Sequence, residues 1–67
     1  MSKLIQALKQ RIPGSFWVNA NGSITTSMCY TRAFVDECGK QGMTIKNSYR
    51  YSDSENGEIV DTHFLGE

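Results

Sequence analysis

The residues best suited to acid–base chemistry lie near the end of the chain. His63 is the only histidine, and Asp61 precedes it by two positions. In an extended strand this spacing places both side chains on one face, where a carboxylate can orient an imidazole as a general base. However, no recognisable nucleophile motif surrounds the serines or cysteines, and 67 residues leave little room for both a core and a substrate pocket. We therefore expect a protein that is not an enzyme, with His63 partly exposed.

Neither a metal site nor a disulfide is predicted. Cys29 and Cys38 do not form a CxxC pair. On one helix they would be separated by roughly 13.5 Å along the axis, whereas a disulfide needs Cα atoms within about 7 Å. We interpret both as reduced, mostly buried thiols. No phosphate-binding loop or dinucleotide fingerprint occurs, so no cofactor is expected.

A helix from Ser27 to Gly42 (SMCYTRAFVDECGKQG) is the predicted central element. Thr26 or Ser27 can serve as its N-cap, and Gly42 is suited to end it. Three apolar residues follow one another at intervals of four and share one face of this helix: Tyr30, Phe34 and Cys38. The face must pack on something, and the strands on either side are the obvious partner.

Ser15 to Thr26 predicts a β-hairpin with Asn21-Gly22 at its tip. A two-residue loop would place Val18 opposite Thr25. A three-residue loop places Val18 opposite Ile24 instead, which groups the apolar residues on one face and turns Trp17 to the other. We prefer the second register.

The second half of the chain predicts another hairpin. Apolar and aromatic residues alternate from Met43 to Tyr51, with Lys46, Ser48 and Arg50 on the opposite face. Residues 52–57 (SDSENG) are turn-forming, and 58–65 form the last strand. Val60 and Phe64 of that strand would pair with the tyrosine face.

Together with an amphipathic helix from Ser2 to Ile12, these elements have the order α-β-β-α-β-β. We predict one α+β domain, residues 1–67, with two helices packed on one face of an antiparallel sheet of about four strands. The strand order cannot be read from the pattern. The predicted core comprises Leu4, Leu8, Val18, Ile24, Phe34, Ile45, Tyr49, Val60 and Phe64.

The composition is that of a folded domain, with 21% charged and 39% hydrophobic residues. The sequence contains no run of about 20 apolar residues, which is the length needed to span a membrane. Charged and polar residues interrupt the first 14 positions, which therefore do not resemble a signal peptide. We expect a cytoplasmic protein without a membrane partner.

Charge is unevenly distributed, although the net charge is zero. Residues 1–50 contain all seven basic residues, and the last 17 positions contain none. Folding can mix these charges again in space. If it does not, the acidic hairpin is a contact element for a protein partner. We therefore expect a non-enzymatic protein-binding module (an adaptor, inhibitor or regulator) that acts through this hairpin and an open sheet edge, and that can form a homodimer. The acidic residues expected at the contact are Asp53, Glu55, Glu58 and Asp61.

A second interpretation is a single-stranded nucleic-acid-binding domain. Aromatic side chains can stack on bases and basic side chains can contact phosphates. The residues expected to do so are Trp17, Lys46 and Arg50. A pI of about 6.5 and the lack of a basic run make this the weaker interpretation.

Overall fold

Two helices cover one face of a four-stranded antiparallel sheet in the computed structural model, which describes residues 2–66. The predicted order of elements is confirmed. They are α1 (Ser2–Arg11), β1 (Phe16–Val18), β2 (Ile24–Ser27), a 3₁₀ turn (Met28–Tyr30), α2 (Thr31–Lys40), β3 (Thr44–Ser52) and β4 (Ile59–Gly66). Neither helix is long and apolar enough to cross a membrane.

The strands lie in the order β1-β2-β4-β3. The last strand of the chain, β4, is therefore a central strand that pairs with both β2 and β3. In the first hairpin, Val18 pairs with Ile24 and Trp17 pairs with Thr25. This is the register predicted for a three-residue loop. Gly22 supports it, because its φ of +88° lies in the left-handed region that glycine adopts without strain.

The central helix begins later than predicted. Thr26 and Ser27 are strand residues that pair with Asp61 and Val60 of β4, and neither caps the helix. The 3₁₀ turn follows, and α2 starts only at Thr31. The pairing with β4 explains the difference, since it keeps the backbone extended up to Ser27. Gly42 ends the helix as expected, with φ at +71°.

The main core lies between the helices and the sheet. Its fully buried members are Leu4 and Leu8 of α1, Ile12 directly after α1, Ile24 of β2, and Phe34 and Cys38 of α2. Phe16, Ile45 and Leu65 pack against this cluster. Cys38 is buried as predicted, but Cys29 is exposed, which corrects the expectation that both thiols are buried.

A β-bulge in β3 changes the predicted alternation. Ile45 pairs with Leu65 but Asn47 pairs with Phe64, which leaves Lys46 as an extra residue. Ile45 therefore packs toward the helices, whereas Tyr49 and Tyr51 lie on the opposite face of the sheet.

The predicted core is wrong in part, at Tyr49 because of this bulge. Tyr49 is 54% exposed, and Val18, near the end of the short strand β1, is 46% exposed. Val60 is buried, but it pairs with Tyr51 on the face away from the helices, and Phe64 pairs with Asn47 there.

Candidate binding surface

The sheet face opposite the helices, here called the open face, presents a row of four directly paired side chains. Trp17, Thr25, Thr62 and Tyr49 lie side by side across β1, β2, β4 and β3. The two threonines in the middle are buried, and the aromatic residues at both ends are exposed. Tyr51, one step further along β3, is 48% exposed.

Hydrogen bonds satisfy the polar groups in the middle of this face. The Thr25 and Thr62 hydroxyl oxygens are 2.8 Å apart. Asn19 donates its amide N–H to the Thr25 hydroxyl at 2.8 Å, and the Tyr51 hydroxyl lies 2.9 Å from the Thr62 hydroxyl. Because these groups bond to one another, the open face offers aromatic rings to a partner at little cost in desolvated polar groups.

A shallow pocket lies on the open face near the start of β3. It has a volume of about 490 Å³ and is lined by Lys46, Asn47, Tyr49 and Phe64. The rings of Tyr49 and Phe64 meet edge to face, with centroids 5.7 Å apart, and Asn47 donates to the Tyr49 hydroxyl at 2.7 Å. An ammonium group beside two rings suits a ligand that is both negatively charged and apolar.

The opposite end of the β3–β4 hairpin is acidic. The loop between the strands is held by its own bonds, since Asp53 N–H donates to the Glu58 carbonyl at 2.7 Å and the Asp53 carboxylate accepts from Glu55 N–H at 3.0 Å. Glu55 and Glu58 are exposed and Asp53 is partly exposed. The three predicted acidic residues of the loop therefore lie together, and we call Asp53, Glu55 and Glu58 the acidic loop.

Asp61, the fourth predicted acidic contact, lies elsewhere. It is 4% exposed and forms a bidentate pair with Arg50, at 2.8 Å to Nε and 3.0 Å to Nη2. The guanidinium, helped by a hydrogen bond from the Thr31 hydroxyl, holds the pKa of Asp61 below its ordinary value. Asp61 therefore does not present a free charge to a partner, which corrects its grouping with the acidic loop.

The same pair separates the residues predicted for nucleic-acid binding. Asp61 and Arg50 are directly opposite each other and share the helix-covered side with His63, whereas Trp17 and Lys46 border the open face. Arg50 is thus on the other side of the sheet from the two residues with which it was expected to act. The binding roles themselves stay predictions.

His63 is buried rather than partly exposed, at 1% exposure. Its ring packs on Phe34, its Nε2 lies 3.1 Å from the Thr26 hydroxyl, and its Nδ1 lies 2.8 Å from the Ser48 hydroxyl. Burial lowers the pKa of His63, and the charge of Asp61 partly offsets this effect. The predicted shared face of Asp61 and His63 is confirmed.

A chain of hydrogen bonds, here called the polar chain, joins those two residues indirectly. Thr26 and Thr31 hydroxyls are 3.2 Å apart, and Thr31 donates to Asp61. When His63 is neutral with its proton on Nε2, Ser48 can donate to His63, His63 to Thr26, and Thr26 to Thr31. All donors of the polar chain then point toward the Asp61 carboxylate. The polar chain links β3, β4, β2 and the start of α2.

The contact of Ser48 with His63 has the length of a nucleophile–base pair. However, the Ser48 N–H donates to the Asn47 side chain at 3.0 Å, so it does not serve as an oxyanion donor in this arrangement. The pocket described above lies on the opposite face. We therefore interpret the polar chain as a structural network, and the absence of enzymatic activity stays a prediction.

Comparison with protein-family models, curated proteins and solved structures found no match to this chain. The sequence predicts that Trp17 lies on the face away from Val18 and Ile24, and the structure confirms that. Sequence reasoning missed Ser48 and Thr62. Both are hydroxyl residues in polar-looking strand positions, and no local signal distinguishes them from solvent-facing residues.

Proposed function

We propose that the protein is a small non-enzymatic binding module that recognises a protein partner through the open face. The observation that supports this most directly is the exposure of Trp17 (44%), Tyr49 and Tyr51 on a sheet face that neither α1 nor α2 covers. Tryptophan and tyrosine are the residues that most often dominate the energy of protein interfaces. An adaptor, inhibitor or regulator would use such a surface.

The face is a better candidate than the sheet edge. β3 is an outer strand of nine residues, but it contains the Lys46 bulge and the charged Arg50. Bulges and charged residues on an edge strand discourage the addition of another strand. The open face has neither obstacle along the row from Trp17 to Tyr49.

The acidic loop favours a partner with a basic patch at one side of its contact area. Its carboxylates lie at one end of the β3–β4 hairpin, where β3 ends just after Tyr51 of the open face. Charge complementarity of this kind raises the association rate and selects the orientation of the partner. The same carboxylates would repel a phosphate backbone, which supports a protein over a nucleic acid.

Single-stranded nucleic acid is the second candidate, and the pocket at Lys46 is the observation that favours it. A base could stack on the exposed ring of Tyr49 or on Phe64 while Lys46 contacts a phosphate. Arg50 would not take part, because Asp61 holds it on the other side of the sheet.

An affinity pull-down from the source cells, with and without nuclease, tests the proposal. We expect to recover a partner protein whether or not nuclease is added. Trp17→Ala/Tyr49→Ser should abolish its recovery, and Glu55→Lys/Glu58→Lys should reduce it. Lys9→Glu is the matched control, since Lys9 is exposed on α1. Recovery of nucleic acid alone, lost in Lys46→Glu and retained in Glu55→Lys/Glu58→Lys, would contradict the proposal and favour the second candidate.

A further inference from the structure

We infer that the protein partner of the open face is a second copy of this chain, so that two sheets pack face to face in a symmetric dimer. This inference rests on the proposed function, because it names the occupant of the same surface. Two features of the molecule carry it: the aromatic row and the arrangement of charge at the two ends of β3.

The aromatic row provides the apolar surface that a dimer would bury. Trp17 and Tyr49 stand at the two ends of the row, with Tyr51 beside Tyr49, and all three are about half exposed. A domain of 67 residues buries only about 60% of the surface of its unfolded chain, so added burial stabilises it substantially. Two sheets packed about 10 Å apart would enclose these rings in a second core.

Charges of opposite sign lie at the two ends of β3. Lys46 lies at the start of β3, where it packs beside Gly66 at the end of β4, and the acidic loop follows the end of β3. Seven residue steps separate Lys46 from Asp53, which is roughly 23 Å along a strand. The paired strand residues between these ends carry no acidic side chain on the open face, so stacking them would bury no carboxylate there.

A two-fold axis makes this arrangement self-complementary. If the axis runs along the row from Trp17 to Tyr49, the strands of the second copy run in the reverse direction. Lys46 of each copy then lies above the acidic loop of the other, and the pairing occurs twice. An unrelated partner would have to match this pattern separately, whereas a second copy matches it by symmetry.

Pairing of two β3 edges would lack this advantage. Lys46 and Arg50 are the charged residues of β3, so two antiparallel β3 strands would bring basic side chains together along the seam. We therefore assign the dimer contact to the open face rather than to the edge.

Sedimentation equilibrium of the full chain over a wide concentration range, with Trp17 fluorescence, tests the inference. We expect a reversible dimer and a shift of Trp17 emission to shorter wavelength as the dimer forms, because association removes the indole from water. Lys46→Glu alone and Glu55→Lys/Glu58→Lys alone should each weaken dimerisation roughly tenfold or more. Mixing the two variants should restore a heterodimer, in which both charge contacts pair opposite signs again.

Lys9→Glu on α1 is the control and should dimerise like the unchanged chain. Circular dichroism confirms that each variant is folded. A monomer at every concentration would overturn the inference, and the pull-down above would then decide the proposed function independently. A dimer that is insensitive to both Lys46→Glu and Trp17→Ala, or a mixture that fails to associate, would also overturn it. Binding of a labelled single-stranded oligonucleotide by the monomer, lost in Lys46→Glu, would assign the face to nucleic acid instead.

Discussion

The imidazole of His63 lies nearly parallel to the ring of Phe34, with centroids 4.3 Å apart and planes inclined by 21°. Phe34 belongs to the core cluster of the helices, and His63 belongs to the polar chain. This contact therefore joins the apolar and polar halves of the interior. Both residues are almost completely buried, at 0% and 1% exposure.

Replacing Phe34 by alanine should destabilise the fold severely. The change removes a fully buried ring and leaves a cavity beside His63, which typically costs about 3–5 kcal/mol. For a domain of this size that is a large part of the whole free energy of unfolding. Urea denaturation measures the loss, and Val35→Ala on the same helix is the control, since Val35 is 48% exposed. A loss for Phe34→Ala no larger than that of the control would contradict the core assignment.

Replacing Thr26 by valine should interrupt the polar chain. The Thr26 hydroxyl contacts both His63 and Thr31, and Thr26 is fully buried. Removing it leaves a buried imidazole nitrogen without its partner, at a cost of about 1–3 kcal/mol. Thr44→Val is the control, because Thr44 is an exposed strand residue. Equal stability of the two variants in urea would show that the polar chain contributes little.

Acid should destabilise the protein in two separate ranges of pH. The pKa of His63 is lowered from its ordinary value of 6.5 by burial. Below that value the unfolded chain binds a proton that the folded chain rejects, so the free energy of unfolding falls as pH drops from about 7 toward 5. The pKa of Asp61 is lowered from 3.8, chiefly by Arg50, so its contribution is present above that value and is lost at lower pH.

Urea denaturation at a series of pH values checks both effects. His63→Gln should flatten the decline between about pH 7 and 5, and Asp61→Asn should flatten the decline below about pH 4. The slopes are compared rather than the absolute values, since both substitutions also change stability at neutral pH. An unchanged slope in His63→Gln would contradict the assignment of His63.

The two thiols should differ sharply in reactivity. Cys29 is exposed, whereas burial, with a smaller contribution from the charge of Glu37, raises the pKa of Cys38 to about 11. Thiolate is the reactive form, so Ellman's reagent should modify one thiol rapidly in the native protein and the second only on unfolding. Cys29→Ser should abolish the rapid phase. A rapid phase that persists in this variant would show that Cys38 is accessible.

Local sequence patterns predicted the helices, the strands and the register of the first hairpin. That register depends on residues close in the chain: the Asn21-Gly22 turn and the alternation around Val18 and Ile24. The end of α2 at Gly42 was predictable for the same reason. Turn geometry and periodicity act over a few residues, and a sequence displays them directly.

Contacts between distant residues decided the remaining features. Thr26 stays in a strand and does not cap α2, because it pairs with β4, and its hydroxyl contacts His63 from 37 positions away. The Lys46 bulge, which turns Tyr49 and Tyr51 away from the helices, appears only when β3 is aligned with β4. No local pattern indicates either pairing.

The candidate surface shows the same division. The sequence alone placed Trp17 opposite the core face of its hairpin and showed that the second hairpin is acidic at its tip. Only the strand order brought Trp17 into one row with Tyr49 and moved Asp61 and Arg50 into a pair on the other side of the sheet. Strand order depends on which faces the whole chain can bury together. The free energy of this burial is a property of the assembled sheet rather than of any one segment.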